Sequence, residues 1–162
     1  MSTEERLAWL FADVDAEHLD PSNEHDREAL IELQHQELRA ALADPDVDEI
    51  EVAGHPMNPR LHLSLHQGVA DQIVNDEPSE VWQTALRLEA LGYGRHDVLH
   101  MLASVLGEEI RLELAERRPY DRARHLAALG ALPDAWEAMR RPARRPAARA
   151  PGGRRRRKGR QR

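Results

Sequence analysis

The sequence from residue 95 to residue 117 reads RHDVLHMLASVLGEEIRLELAER. Its apolar side chains recur every three or four positions, which is the spacing of one face of an α-helix. The positions that share this spacing are Leu99, Leu102, Leu106, Ile110 and Leu114. A tight Gly-Tyr-Gly-Arg connection at residues 92–95 leads into the stretch. We therefore predict the longest helix of the chain here, and an all-α fold around it.

Start and stop signals on both sides of this stretch delimit further helices. A capping box at residues 2–5 begins the first one, and Asp-Pro-Ser-Asn at residues 20–23 begins the second. The helices predicted outside the central stretch cover approximately residues 3–14, 24–43, 59–75, 79–91 and 121–130, with a last turn around Trp136. The sequence thus predicts a compact bundle of about five to six helices in an acidic domain over residues 1–139.

The segment from residue 59 to residue 75 requires a choice between helix and strand. Residues 61–66, Leu-His-Leu-Ser-Leu-His, alternate with period two, as a buried strand does. However, Asn58 and Pro59 are a typical helix cap and first helical residue, which favours a helix and leaves a strand as the alternative. Before this helix we expect a short extended segment at residues 47–52 and a loop at residues 54–56.

Two histidine pairs of identical spacing lie on two of the predicted helices. His62 and His66 form one pair, and His96 and His100 form the other. Side chains four residues apart project from the same face of a helix, so each pair can hold an ion between its two rings. Imidazole offers a neutral ring nitrogen near pH 7, which makes it a common metal ligand. We predict that both pairs share one metal, with His35 as a weaker fifth candidate.

The residues around the histidines refine this hypothesis. The face of the second pair continues through Ala103 and Gly107, whose small size allows a neighbouring helix to approach closely. Candidates for holding the outer ring nitrogens are Asp97, Glu108 and Gln72.

The ligand types indicate the kind of ion. A set of histidines without sulfur favours a divalent transition metal, zinc or iron first, over magnesium or calcium. Whether the domain is an enzyme stays open; if it is, we expect the metal to be required. The alternative is a structural core in which the histidines are hydrogen-bonded to one another or to the backbone.

Composition excludes several other classes of protein. The chain has no cysteine, so disulfides and thiolate metal ligands are excluded. No apolar run approaches 18 residues and the first residues are acidic, so we expect neither a membrane span nor a secretory signal, and we expect a cytoplasmic location. Residues 140–162 carry twelve Arg and Lys and no acid, whereas residues 1–139 carry a net charge of −18. Such a tail is predicted to be disordered.

The basic tail also supports an alternative function. Its cations can contact the phosphates of nucleic acid or of a ribosome without reading sequence; the densest group is Arg154, Arg155, Arg156, Arg157 and Lys158. The tail contains no aromatic residue, so no base-stacking surface is predicted. In this alternative the chain is an adaptor whose body docks a protein partner and whose tail contacts nucleic acid.

Several polar residues receive an ordinary interpretation. We expect Glu108 and Glu109 to lie on a solvated face. We expect the remaining histidines to be solvated surface residues as well; these are His18, His25, His55 and His125.

Taken together, several of these motifs resemble the small bacterial proteins grouped as domain-of-unknown-function family 1841. The motifs are Asn58-Pro59-Arg60-Leu61-His62, then His66, then Arg95-His96-Asp97-Val98-Leu99-His100, and finally Pro119-Tyr120-Asp121. The resemblance covers about residues 35–137 and includes His35 with Glu37 and Leu38. It implies a compact helical domain and draws attention to the histidines, but it implies no established activity. The Arg-rich tail is not part of this resemblance.

Overall fold

The computed structural model describes residues 1–52 and 55–140. In these residues the chain forms eight α-helices, a short 3₁₀ helix and one two-stranded hairpin. The elements are α1 (Thr3–Leu10), α2 (Glu24–Gln34), the 3₁₀ helix (Gln36–Leu38), α3 (Arg39–Ala43), β1 (Ile50–Val52), β2 (His55–Met57), α4 (Pro59–Asn75), α5 (Ser79–Ala90), α6 (Arg95–Glu116), α7 (Arg122–Gly130) and α8 (Asp134–Arg140). The predicted all-α bundle is confirmed. The disorder predicted for the tail concerns a segment that, beyond residue 140, lies outside the described residues.

The predicted caps form as the sequence indicates. Ser2 and Glu5 make a reciprocal capping box at the start of α1. At the start of α4 the Asn58 side chain accepts a hydrogen bond of 2.9 Å from the backbone N–H of Leu61, and Pro59 is the first helical residue. The segment that alternates with period two is therefore a helix, and the strand alternative is wrong.

The second predicted helix is divided, which corrects the expectation of one helix over residues 24–43. His35 ends α2 with a non-helical backbone (φ −124°, ψ 48°), and its N–H bonds to the carbonyl of Glu32. The Ile31 carbonyl, which would take that N–H in a continuous helix, accepts the Nδ1–H of the His35 ring instead, at 2.8 Å. The break therefore turns one imidazole into the interior.

The hairpin partly corrects the sequence prediction. Extended structure was expected at residues 47–52 and is found in β1, but the loop expected at residues 54–56 is wrong in part, because β2 pairs with β1 in antiparallel register. Arg60 of α4 donates to the Val47 carbonyl at 2.6 Å and to the Asp44 carbonyl at 2.8 Å. These bonds hold the segment before the hairpin against the start of α4.

The core lies where α4, α5 and α6 pack against one another, with α1 and α2 against α4 and α7 against α5 and α6. Side chains with no exposed surface include Val69 and Ile73 of α4 and Val98 and Met101 of α6. The predicted stripe of α6 does not stay buried to its end: Leu114 is 76 % exposed, and Leu112 faces the core instead. Among the described residues, no helix is both long enough and apolar enough to cross a membrane.

Candidate metal centre

Four histidine rings from three elements converge in the interior. They are His35 at the end of α2, His62 and His66 on consecutive turns of α4, and His100 of α6. Every pair of these four rings is in contact, with centroids 4.3–5.8 Å apart. One ring nitrogen from each residue lies within 4.8 Å of those of the other three. We call these four residues the histidine quartet.

His96 lies beside the quartet rather than within it. Its ring is 4.2 Å from that of His100 and 5.4 Å from that of His35, whereas no ring contact joins it to either histidine of α4 in the described part of the chain. The residue is exposed. The structure therefore brings together three of the four histidines of the two predicted pairs, and the fourth member of the tight set is His35, the weaker candidate.

Small residues permit α4 and α6 to approach closely enough for the rings to meet. A Cβ placed on Gly68 of α4 would lie 2.8 Å from the Leu106 side chain, and one on Gly107 of α6 would lie 3.2 Å from the Leu65 side chain. Gly107 is one of the two small residues from which close helix packing was predicted. Each glycine thus accommodates a leucine of the opposite helix.

Three members of the quartet have a buried ring nitrogen without a hydrogen-bond partner in the described residues. These atoms are the Nε2 nitrogens of His35, His66 and His100. In His35 the assignment is clear, because Nδ1 must carry the proton that it donates to the Ile31 carbonyl, which leaves a lone pair on Nε2. Each unpartnered buried polar atom costs about 1–3 kcal/mol. A ligand that accepts several of these lone pairs would remove this cost.

Burial keeps the quartet neutral. Removal from water lowers the pKa of His62 to about 4, that of His100 to about 3 and that of His66 to about 2. Burial also lowers the pKa of His35. The mutual repulsion of the protonated rings acts in the same direction. At neutral pH the rings therefore offer lone pairs rather than positive charge.

The spacing of the nitrogens is compatible with one shared ion. Metal–nitrogen bonds of about 2.0–2.1 Å place tetrahedral ligand atoms about 3.3 Å apart and opposite ligand atoms about 4.1 Å apart. The quartet atoms, all within 4.8 Å of one another, need to contract by less than about an ångström to reach such distances. The donor set consists of nitrogens only, which suits transition metals and not magnesium or calcium.

The three residues proposed to hold the outer ring nitrogens lie elsewhere. Asp97 is exposed, and the Glu108 carboxylate is exposed and paired with Arg111 at 2.7 Å. Gln72 is half-buried on α4. In the described residues, none of the three is hydrogen-bonded to a histidine ring. The backbone carbonyl of Ile31 takes that role for His35, and sequence reasoning missed it because it depends on the break after α2.

Two acidic residues near the quartet were also missed. Glu37, in the 3₁₀ helix, acts electrostatically to raise the pKa of both His35 and His62, in opposition to burial. Asp13, in the segment after α1, acts in the same way on His35. Both are exposed, and Glu37 lies only two residues after His35 in the chain, which is the one signal that could have drawn attention to it.

A second buried histidine corrects another expectation. His125 of α7, predicted to be a solvated surface residue, is 1 % exposed, and neither ring nitrogen has a hydrogen-bond partner in the described residues. Glu109, also predicted to be solvated, is buried and forms a two-bond ion pair with Arg124. His18 and His25 are exposed as expected, while the expectation for the His55 side chain lies outside the described residues.

Fold and site together define a small helical protein with a buried cluster of histidines. The chain belongs to the family described as "Domain of unknown function (DUF1841)", whose model matches residues 12–131. This confirms the resemblance seen in the sequence, although the match begins earlier than expected and includes all of α2. All five clustered histidines lie within the matched residues. The comparisons with curated proteins and with solved structures found no match.

Proposed function

We propose that the protein binds a divalent transition metal ion, zinc or iron first, through His35, His62, His66 and His100. The observation that carries this proposal is the set of three buried Nε2 atoms without partners inside one cluster. A structural polar core would be expected to satisfy these atoms with hydrogen bonds, because unpaired buried groups are costly. A metal ion accepts all of their lone pairs at once.

The ion would meet chemistry that favours its binding. Neutral rings need not lose a proton before they coordinate, so binding near pH 7 does not compete with protonation. If one coordination position is left open, a bound ion of this kind acts as a Lewis acid toward water or a small anion. Such an activity would depend on the metal, in line with the expectation from the sequence.

Elemental analysis of the purified full chain tests the proposal. We expect stoichiometric metal in the natural protein and almost none in a variant carrying both His66→Ala and His100→Ala. The matched control carries His18→Ala and His25→Ala, which remove two exposed histidines outside the cluster, and it should retain the metal. Equal and negligible metal in all three proteins, also after incubation with Zn²⁺ or Fe²⁺, would contradict the proposal.

Thermal unfolding gives a second readout. An ion that binds only the folded chain stabilises it by mass action, by about 2.7 kcal/mol at a free concentration 100 times Kd. We expect Zn²⁺ to raise the Tm of the natural protein and a chelator to reverse the rise. A Tm that neither Zn²⁺ nor Fe²⁺ changes would favour the structural interpretation of the histidines.

The tail supports a second candidate function. Twelve Arg and Lys and no acid in residues 140–162 are a composition suited to phosphate backbones, so a weak contact with nucleic acid or a ribosome is compatible with the metal proposal. In this adaptor function the tail, not the histidine quartet, would carry the interaction.

A further inference from the structure

The five clustered histidines differ in depth. His35 and His66 are buried, with 1 % and 3 % of their surface exposed, and His62 and His100 are half-buried. His96 is exposed. The cluster therefore has an inner end and a solvent end, and His96 stands at the solvent end.

The position of His96 connects solvent to the interior of the cluster. Its ring contacts those of His100 and His35, one half-buried and one buried member of the quartet, and lies one helical turn before His100 on α6. An ion held by the His96 ring would thus be adjacent to two quartet ligands. It would still lack His62 and His66, with which His96 makes no ring contact in the described residues.

The charge around this end attracts cations. Asp13 and Glu37 are exposed carboxylates that act electrostatically on His35, and the Asp13 carboxylate lies 3.5 Å from the guanidinium of Arg95, the residue before His96. Residues 1–139 as a whole carry a net charge of −18. A negative surface raises the local concentration of divalent ions and their rate of arrival.

We propose that His96 is an uptake ligand, which captures the hydrated ion at the surface and passes it to His100 and His35 without remaining in the final coordination shell. This inference rests on the proposed metal-binding function and names how the same site is filled and emptied. The alternative is that His96 is an ordinary fifth ligand of the bound ion.

The two roles predict different kinetics. A group that contacts the ion only in transit lowers the barrier in both directions, so its loss slows uptake and release by the same factor and leaves the equilibrium unchanged. A ligand of the bound ion stabilises the end state, so its loss weakens binding and speeds release. The ratio of rate effects to affinity effects therefore distinguishes them.

The experiment measures Zn²⁺ binding to the full chain, by stopped-flow uptake, by release to excess chelator, and by equilibrium competition. We expect His96→Ala to slow both uptake and release by roughly tenfold or more, the size of effect that local charge and capture have on association rates, with Kd unchanged within a few-fold. His100→Ala should weaken binding by more than the roughly 10- to 100-fold typical of residues that act behind a ligand. His25→Ala, which removes a side chain that is 91 % exposed, is the matched control and should leave all three quantities unchanged.

Two results would overturn the inference while leaving the metal function intact. Rates of His96→Ala equal to those of the natural protein would show that the ion does not pass this ring. A loss of affinity as large as that of His100→Ala would show that His96 is a ligand of the bound ion. If the natural protein binds neither Zn²⁺ nor Fe²⁺, the proposed function fails first and the inference fails with it.

Discussion

His66 shows at the scale of a single residue what the metal-free cluster costs. The side chain is 3 % exposed, and its Nε2 has no partner in the described residues. An apolar side chain of similar size would fill the same space without an unsatisfied atom, and such replacements of buried polar groups can be neutral or stabilising. The residue thus stabilises the bound state at the expense of the metal-free state.

We therefore expect His66→Leu to raise the free energy of unfolding of the metal-free protein by about 1 kcal/mol, since it removes an unpaired polar atom. The same change should abolish the rise in Tm that Zn²⁺ causes. Urea unfolding in the presence of a chelator, compared with thermal unfolding in Zn²⁺, measures both effects. A clear loss of stability without metal would argue that Nε2 is satisfied in the metal-free protein.

His125 offers a pH-dependent readout outside the quartet. Burial lowers its pKa, and only the charges of Glu109 on α6 and Glu80 on α5 oppose this effect. In the unfolded chain the ring titrates near 6.5, so the unfolded chain takes up a proton first as the pH falls. The contribution of this residue to stability is therefore complete above about pH 6.5 and is lost as the pH falls toward the depressed pKa of the folded state.

From this sign we expect His125→Phe to reduce the loss of stability between about pH 7 and pH 5. Urea unfolding at both pH values, with chelator present, measures the difference. The quartet histidines contribute a loss in the same direction, so the variant should be less pH-dependent but not independent of pH. His25→Phe, at an exposed position, should follow the natural protein. An unchanged slope in His125→Phe would contradict the assignment.

The residues that sequence reasoning misplaced are those whose burial depends on distant contacts. The polar neighbours of His125 on α7, Arg122 and Arg124, indicate a surface helix, yet those arginines bond to glutamates of α5 and α6 and leave the histidine facing inward. Glu109 is buried for the same reason, because Arg124 neutralises it. Local pattern cannot reveal a partner that is 15 or more residues away.

At the scale of helices, local signals were sufficient where they do not compete with tertiary contacts. The start of α4 follows from Asn58 and Pro59 alone, and the bounds of α6 follow from its apolar spacing. The break after α2 could not be predicted, because it depends on the His35 ring displacing a backbone N–H from the Ile31 carbonyl. Half of the quartet, the α4 pair, was therefore visible in the sequence, whereas the place of His35 was set by a tertiary bond.

The pairing of α4 with α6 can be tested at one glycine. Any Cβ on Gly68 meets Leu106 at 2.8 Å, so Gly68→Val should force the helices apart and destabilise the protein by about 1–3 kcal/mol, as overpacking does. Because the quartet spans both helices, Zn²⁺ affinity should fall as well. Gly130→Val, at the end of α7 where a Cβ meets nothing within 4 Å, is the control and should leave affinity unchanged. Full affinity in Gly68→Val would show that this spacing does not control the site.

At the scale of the whole molecule, charge divides the chain into two parts. The acidic part includes the described helices and the quartet, whose neutral rings would leave a bound divalent ion with its full charge. A negative surround compensates that charge without a carboxylate in the donor set. The tail has the opposite charge, so the two parts suit different ligands, metal cations and polyanions.

Removal of residues 141–162 separates these two functions. The shortened chain keeps every described helix but has 12 basic and 29 acidic residues, so we expect it to lose retention on double-stranded DNA while its Zn²⁺ affinity is unchanged. The full chain should be retained at low salt, and log K should fall linearly with log salt by about 0.9 for each phosphate contact. Replacing Arg154–Arg157 and Lys158 by Gln in the full chain should reduce that slope in proportion, because each lost contact releases one fewer set of counterions. Retention that survives truncation would assign the interaction to the helical body, and a full chain that is never retained would exclude the adaptor function of the tail.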